Sequence, residues 1–439
     1  MVSCPVAEPH WEPLLVDGPL ADAARDAVRA IGSALAARDI PSGDAAGVTL
    51  FWAYAAGATD DPETDARYGA AIDRLIGALG ESGRGPQLYG GLAGDAWVLA
   101  HVGSSGGEEL LARIDAGLVR ILRERVWSGD YDLIVGVVGL GIYFLERLES
   151  EPGAPHALEG LAVCLQFFDD TREDTPAGTT WLTRPELLVP WQRAIAPAGI
   201  YNCGLAHGVP GVIALLGRLA EHGQPLARAL LDDAQRWLWT QRLPAGSDAA
   251  GWFPSMLVAG RPADPARTAW CYGDPGIAVA SWSAARRTGA AEADARALAL
   301  AAATEADART LALAAATRDP AACGVRDAGL CHGAAGLAHL YNRCFQASGD
   351  PLFRDAALLW LSRTLSMRSP DHGIAGFAAW TAAPRTLLGD TVPEPAWHPL
   401  DGFLEGVAGI GLALLAALGS LEPGWDRLLA CDLPPRPAP

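Results

Sequence analysis

Two cysteines and a histidine in two glycine-containing segments have the residue types and spacing of a metal site. Cys271 lies in TAWCYGDPG, and Cys331 and His332 are adjacent in AGLCHGAAG. Three protein ligands that leave a fourth position open are typical of catalytic zinc, and thiolates suit zinc better than magnesium or calcium. Each residue alone also fits a buried apolar cysteine or a hydrogen-bonded histidine. Their matching positions in two segments favour the metal site.

Four further side chains lie beside similar glycines. His207 precedes the glycines of YNCGLAHGVPG, Asp132 lies in DYDLIVG, and Arg267 and Tyr272 flank Cys271 in the segment RTAWCYG. His207 has the chemistry of a general acid or base, although a histidine at a helix start is also a structural cap. Asp132 is equally consistent with a helix N-cap, and Arg267 with a surface ion pair. Residue type and spacing leave these alternatives open.

The glycines belong to a sequence repeat, and this repeat predicts the helices and turns that position the candidate site residues. Leu- and Ala-rich runs follow most of seven Gly-x-x-Gly segments, which indicates a turn that opens a buried helix. Amphipathic stretches at 21–39 and 225–242 predict helices between these units. Repeats on this scale favour one stacked or closed all-α architecture, in which the turns meet at a common mouth. The segments begin at residues 91, 136, 208, 273, 333, 373 and 406.

We predict a single domain over residues 1–430, with a small insertion at about 165–200 and a flexible tail at 431–439. The polar, proline-marked composition between the second and third units indicates the insertion. A tandem repeat, EADARALALAAAT (292–304) followed by EADARTLALAAAT (305–317), falls in a predicted outer helix. In an α-helix, a shift of thirteen residues turns the second copy by roughly 220° about the helix axis relative to the first. Both copies cannot bury the same face, so we expect a break or an exposed overhang.

Charge and composition narrow the class of protein. The net charge of −18 argues against nucleic acid as the main partner, because a phosphate backbone requires a basic face. Acidic solubility and attraction to a basic peptide remain open. The N-terminus lacks the pattern of a signal peptide, and the apolar run at 407–421 is shorter than the ~20 residues of a membrane span. We therefore expect a cytoplasmic protein whose eight scattered cysteines are free thiols or metal ligands.

The order HGVPG, WCYGDPG and CHGAAG resembles that of the lanthipeptide cyclases, the LanC-like family, over roughly residues 20 to 425. The resemblance implies an α/α toroid of about seven inner and seven outer helices with one Zn²⁺ ion at the mouth. It also implies that Cys271, Cys331 and His332 are the zinc ligands. Cyclases of this family add peptide cysteine thiols to dehydroalanine or dehydrobutyrine, forming the (methyl)lanthionine thioether rings of lantibiotics.

The same resemblance implies catalytic roles for His207, Asp132, Arg267 and Tyr272, with His207 as the acid or base. The chain resembles the stand-alone form of cyclase, which acts on a dehydrated precursor peptide with leader and core. Such a cyclase works beside a separate dehydratase and export machinery, either free in the cytoplasm or peripheral in a membrane-associated complex. The sequence does not decide how the proton transfer is divided among His207, Asp132 and Arg267.

Two other functions remain open at this stage. Protein prenyltransferases also pair a zinc-activated thiol with an α/α toroid, but they resemble different sequences. A non-catalytic peptide- or glutathione-binding member of the LanC-like family is the main alternative. A zinc deaminase is excluded because the sequence contains no H-x-E with P-C-x-x-C.

Overall fold

The computed structural model describes residues 11–80, 83–103, 107–124, 127, 129–244, 251–291, 295–382 and 390–436. Within these residues the chain forms fifteen α-helices and six short strands, numbered below in chain order. No helix in this part of the chain combines the length and apolar character needed to cross a bilayer.

Seven of the described helices form a closed inner ring, in which each packs on the next and the last packs on the first. They are buried on nearly all sides because they face both the ring centre and the outer helices; in α13 every residue from Ala334 to Ala347 is buried. The inner helices are α2 (Ala45–Gly57), α4 (Leu92–Val102), α6 (Val137–Ser150), α9 (Val209–Glu221), α11 (Asp274–Ala291), α13 (Ala334–Ser348) and α15 (Val407–Leu418).

Seven outer helices surround this ring in the described chain, and each packs on at least one inner helix. Six follow their inner partner in sequence, whereas α1 packs on α15 and so joins the two ends of the chain. The arrangement confirms the all-α toroid with seven inner and seven outer helices; the short helix α8 (Pro190–Ile195) lies outside both rings. The outer helices are α1 (Pro19–Ala36), α3 (Pro62–Leu79), α5 (Glu108–Arg123), α7 (Pro155–Thr171), α10 (Pro225–Thr240), α12 (Ala295–Ala316) and α14 (Pro351–Ser366).

The turns before six inner helices share one close backbone contact. A Cβ atom on the second glycine of each Gly-x-x-Gly would overlap the carbonyl oxygen of the residue six positions earlier. The loop therefore lies directly against the first turn of the helix, an approach that only glycine permits. The loop carbonyls also accept the first helical N–H groups, which lack partners inside the helix. The six glycines are Gly94, Gly139, Gly211, Gly276, Gly336 and Gly409.

Backbone hydrogen bonds join neighbouring turns around the mouth of the ring. The amide of Cys331 donates to the carbonyl of Leu404 at 2.8 Å, and that of Cys271 donates to Cys331 at 3.2 Å. The amide of Ala206 donates to Cys271 at 3.3 Å, and that of Leu133 donates to Ala206 at 3.1 Å. Each bond joins equivalent or nearly equivalent positions of adjacent repeats. The turns are thereby held side by side at one end of the toroid.

The prediction that all seven Gly-x-x-Gly segments open helices is wrong for GIAG at 373–376. Gly373 and Gly376 have φ values of 60° and 92°, and Ile374 exchanges two backbone hydrogen bonds with Phe377. Positive φ at both glycines is incompatible with an α-helix, so this segment forms a tight turn. The seventh inner helix is α2, which follows a 3₁₀ turn at Ser42–Asp44 and carries no such motif.

The tandem repeat lies in α12, which is continuous from Ala295 to Ala316. Leu298 and Leu300 of the first copy are 48% and 50% exposed, whereas Leu311, the counterpart of Leu298, is 0% exposed. The helix therefore has the exposed overhang and no break within its described length. The start of the first copy, at 292–294, lies outside the described residues.

Three short antiparallel strand pairs lie in the long loops, and the strands of the second pair are separated by α9 and α10 in the chain. β1 (Glu173–Thr175) pairs with β2 (Gly178–Thr180), β3 (Tyr201–Asn202) with β4 (Met256–Leu257), and β5 (Ala379–Thr381) with β6 (Ala396–His398). The region that we expect to be an insertion, 165–200, comprises the end of α7, the β1–β2 hairpin and α8. A small apolar cluster there, separate from the main core, contains Leu188, Ala196 and Ile200.

The C-terminal segment fills the centre of the ring. Asp426 is fully buried and accepts hydrogen bonds from His339 Nε2 at 2.7 Å and Arg343 Nε at 2.6 Å. The chain that we expect to be a flexible tail continues this packing, because Cys431 and Leu433 are also fully buried. The burial of Cys431 and Leu433 depends on the space enclosed by seven distant helices, so no local sequence pattern predicts it.

The close contact behind the turns gives a stability prediction. Gly94→Ala places a methyl group against the carbonyl of Leu88, and we expect it to lower the free energy of unfolding by about 1–3 kcal/mol. Gly69→Ala is the matched control, because a methyl group added at Gly69 on α3 meets no neighbouring atom within 4 Å. This control should stabilise the protein by up to ~1 kcal/mol. Urea denaturation of both variants measures the difference; equal effects would contradict the proposed contact.

Candidate functional site

Three potential metal ligands meet at the mouth of the toroid. The donor atoms of Cys271, Cys331 and His332 all lie within 4.8 Å of one another. Cys271 and Cys331 occupy the same position in adjacent turns, two residues before the first glycine, and the backbone hydrogen bond between them brings their thiols together. His332 follows Cys331 directly. The site is thus assembled by the register of two neighbouring repeats.

The surroundings of His332 fit a metal ligand. Its Nδ1 atom is buried and has no hydrogen-bond partner in the described chain. Its Nε2 atom faces two carboxylates, at 3.7 Å from Asp327 Oδ2 and 3.8 Å from Glu405 Oε1. A buried nitrogen without a partner costs free energy unless something binds it. Two sulfurs and one nitrogen are also donors that zinc prefers, so the residues present fit a zinc ion.

The thiols influence each other's protonation. The hydrogen bond with Cys331 lowers the pKa of Cys271 well below its usual range, against the effect of burial, and His332 and Arg267 lower it further. The same contact and burial raise the pKa of Cys331 well above its usual range. The pair therefore readily holds one thiolate, which is the form that ligates a metal.

A histidine–aspartate pair lies next to these thiols. His207 Nδ1 donates to Asp132 Oδ2 at 2.6 Å, and Asp132 Oδ1 accepts the amide of Val135 at 2.8 Å. The Asp132 side chain is 2% exposed, whereas that of His207 is 40% exposed and open to the mouth. The His207 ring stacks on Tyr272, with ring centroids 5.8 Å apart. Because Nδ1 is occupied, Nε2 is the nitrogen left for proton exchange.

Opposing effects determine the pKa of His207. Desolvation lowers it, but the hydrogen bond and charge of Asp132 outweigh this effect, and Cys271 and Asp130 add to them, so the pKa of His207 is raised. Burial and the charge of Asp132 raise the pKa of Asp130 to about 6. His207 is therefore well suited to carry a proton near neutral pH.

Arg267 and Tyr272 complete the set of predicted residues at the mouth. Arg267 is exposed and lines a cavity of about 230 Å³ together with His332, Arg326 and Trp380. It has no ion-pair partner within the described part of the chain. The hydroxyl of Tyr272 accepts a hydrogen bond from Asn202 Nδ2 at 3.2 Å, and burial raises the pKa of this phenol, so it stays neutral. The structure thus brings all seven predicted residues to one mouth.

Three neighbours of these residues were not singled out in the sequence, although their positions carry a signal. Asn202 and Asp327 lie six residues before the first glycine of their turns, as Arg267 does. Both accept the amide two residues later and so shape the turn. Glu405 lies one residue before the last Gly-x-x-Gly, in the position that His207 and His332 occupy in their turns. Aligning the repeats by position, instead of searching for reactive residue types, identifies all three.

The fold and site define an α/α toroid with a thiol- and histidine-containing centre at the helix N-termini. The chain belongs to the lanthionine synthetase C-like family, whose model matches residues 42–430. This match confirms the resemblance inferred from HGVPG, WCYGDPG and CHGAAG. Among solved structures the chain is similar to nisin cyclase, with a TM-score of 0.70 and 19% sequence identity over 93% of this chain and 97% of that chain. A comparison with curated proteins gives no significant match.

The histidine–aspartate pair predicts a measurable shift. Asp132→Asn should lower the pKa of His207, because it removes the charge that offsets desolvation. NMR titration of the imidazole measures this pKa. Because the pKa of His207 is higher in the folded than in the unfolded chain, its pairing with Asp132 stabilises the fold. This stabilisation is fully present below ~6.5, the pKa of an unperturbed histidine. It is lost as the pH rises through the pKa of His207 in the folded protein. The stability difference between wild type and variant should therefore shrink with rising pH in that range.

Asp130→Asn is the control for this titration. Asp130 raises the pKa of His207 through its charge. Its Oδ1 atom accepts hydrogen bonds from Tyr131 and Thr183. We expect a smaller fall in the His207 pKa than in Asp132→Asn. An unchanged His207 pKa in Asp132→Asn would contradict the role of the pair.

Proposed function

We propose that this protein is a zinc-dependent lanthipeptide cyclase of the stand-alone type. It would add cysteine thiols of a dehydrated peptide to dehydroalanine or dehydrobutyrine and form (methyl)lanthionine rings. The observation that carries the proposal is the cluster of Cys271, Cys331 and His332 within 4.8 Å, beside the His207–Asp132 pair, in a chain of the lanthionine synthetase C-like family.

Cys271, Cys331 and His332 would hold the metal and leave one position for a substrate thiol. Zinc bound there supplies the Lewis acidity that lowers the pKa of the thiol toward neutral pH. The two cysteine ligands donate negative charge, which favours a sulfur that remains nucleophilic. The mouth is bordered by helix N-termini, whose partial positive charge favours anionic groups.

His207 would supply the proton that the addition consumes. The peptide sulfur forms a bond to the β-carbon, the Cα–Cβ π bond breaks, and its electrons develop an enolate on the adjacent carbonyl. In its imidazolium form, which the raised pKa favours, His207 keeps the Nδ1 proton on Asp132 and transfers the Nε2 proton to the α-carbon. The thiol releases its proton to solvent when it ionises, and solvent returns a proton to Nε2 of the exposed His207 afterwards, so that protons balance over one addition.

Arg267 would stabilise the charge that develops during this addition, and Tyr272 would orient the proton donor. Arg267 lies beside His332 at the exposed side of the site, where a cationic group favours an enolate oxygen. Tyr272 remains neutral and orients the His207 ring by stacking on it. Both assignments rest on position at the mouth.

The proposed partner is a dehydrated precursor peptide with leader and core, made by a separate dehydratase and passed on to an exporter. We place the reaction in the cytoplasm, where free thiols persist. The seven cysteines of the described chain are unpaired, in agreement with this setting.

Removal of one thiolate should abolish stoichiometric metal binding. In Cys331→Ala we expect less than one zinc per chain by elemental analysis of the purified protein, because only two of three ligands remain. Cys344→Ala is the matched control: Cys344 is buried in α13 and is not part of the cluster, so this variant should keep its zinc. One zinc per chain in Cys331→Ala would refute the site.

Removal of the proton donor should separate metal binding from catalysis. His207→Ala should retain zinc but cyclise the dehydrated peptide roughly 10²–10⁴-fold more slowly, the usual contribution of a general acid or base. Counting free peptide thiols by alkylation and mass spectrometry follows the reaction. His222→Ala, an exposed histidine at the end of α9, should cyclise at the wild-type rate. Normal cyclisation by His207→Ala would exclude its acid–base role.

The same assay decides between a cyclase and a non-catalytic binding protein. Wild-type protein that binds zinc and the peptide but leaves every thiol free would support the peptide- or glutathione-binding alternative.

A further inference from the structure

The hairpin β5–β6 is tied to His332 through two carboxylates. Asp327 Oδ2 and Glu405 Oε1, the atoms nearest to His332 Nε2, are the same atoms that accept hydrogen bonds from the hairpin. The amide of Trp380 donates to Asp327 Oδ2 at 2.8 Å, and the hydroxyl of Thr381 donates to Glu405 Oε1 at 3.0 Å. Two consecutive residues of one strand therefore fix both oxygens that face the imidazole.

The hairpin is itself held in place beside the cluster. Trp380 pairs with Trp397 across the two strands, and their rings meet edge to face with centroids 5.1 Å apart. The guanidinium of Arg326 lies over the Trp380 ring, 5.4 Å from its centroid. Ala379, at the start of β5, is buried. These contacts make the hairpin a fixed support for the two carboxylates.

The geometry assigns each imidazole nitrogen a different environment. Nδ1 is buried and has no hydrogen-bond partner among the described residues, whereas Nε2 faces two carboxylate acceptors. At 3.7 and 3.8 Å the carboxylates are too distant for hydrogen bonds, but their charge still favours a proton on Nε2. A proton on Nε2 leaves the lone pair of Nδ1 free. Acceptors of this kind orient metal-bound histidines in other proteins and raise their basicity.

We propose that the β5–β6 hairpin is a positioning element for the metal site: through Thr381–Glu405 and Trp380–Asp327 it holds His332 with Nδ1 available as the ligand. This inference rests on the proposed metal site. Thr381 acts through Glu405 and is therefore a positioning residue. Asp327 is less suited to a test, because its other oxygen also shapes the turn before α13.

Thr381→Val removes the hydroxyl donor and keeps the shape of the side chain. We expect the holoprotein to bind zinc about tenfold more weakly in competition with a chelator, within the 10–100-fold range of outer-sphere substitutions. Thr381→Ser restores the donor and should return the affinity to the wild-type value. The absorption spectrum of the cobalt-substituted protein reports the ligand geometry and should change in Thr381→Val alone.

Thr179→Val provides the matched control. Thr179 donates to Asp174 at 2.8 Å in the β1–β2 hairpin, so this variant removes the same kind of bond from a carboxylate that does not face His332. Its zinc affinity should equal that of the wild type. Equal weakening in Thr179→Val and Thr381→Val would overturn the inference, because the effect would then be general.

Glu405→Gln tests the carboxylate directly, since it removes the charge and retains the size of the side chain. It should weaken zinc binding by about 10–100-fold. Wild-type affinity in both Thr381→Val and Glu405→Gln would overturn the positioning role and leave the zinc site intact. Wild-type protein that binds no zinc would refute the proposed metal site as well.

Discussion

The close approach of each turn to the helix that follows it is the constraint on which the rest of this structure depends. At Gly336 the carbonyl of Leu330 occupies the space that a Cβ would need. This contact places the preceding residues directly above the first helical turn, where their carbonyls satisfy free N–H groups. Once six turns adopt this geometry, backbone hydrogen bonds can join them into a continuous rim, and equivalent residues of different repeats become neighbours.

Because the turns are adjacent in the rim, the metal ligands and the acid–base pair come from different turns. Cys271 and Cys331 come from adjacent turns and supply soft, anionic donors. His207 comes from the turn on the other side of Cys271, and its carboxylate partner Asp132 comes from the turn beyond. A nucleophilic sulfur and a proton donor can therefore face one substrate without belonging to one segment. The glycine contacts hold these distances because they leave the turns little freedom to move.

Charged and polar groups have different roles in the ring centre and at the mouth of the toroid. In the ring centre Asp426 is surrounded by His339 and Arg343, and its pKa is lowered to about 2 because the paired charges outweigh burial. That network pairs the buried carboxylate and stabilises the closed ring. At the mouth, by contrast, His332 Nδ1 has no partner among the described residues and Arg267 faces solvent.

The sequence by itself determined the repeat, the helical class and the residue types of the site, because glycine periodicity and the WCYG and LCHG segments are local patterns. It predicted Cys271, Cys331, His332, His207 and Asp132 from their places beside glycines. Only the tertiary structure decided that GIAG at 373–376 forms a turn, that α2 completes the inner ring, and that Leu433 is buried. It alone placed Glu405 and Thr381 beside His332. These features depend on which distant segments meet when the ring closes. Contacts of that kind cannot be predicted from a local sequence pattern.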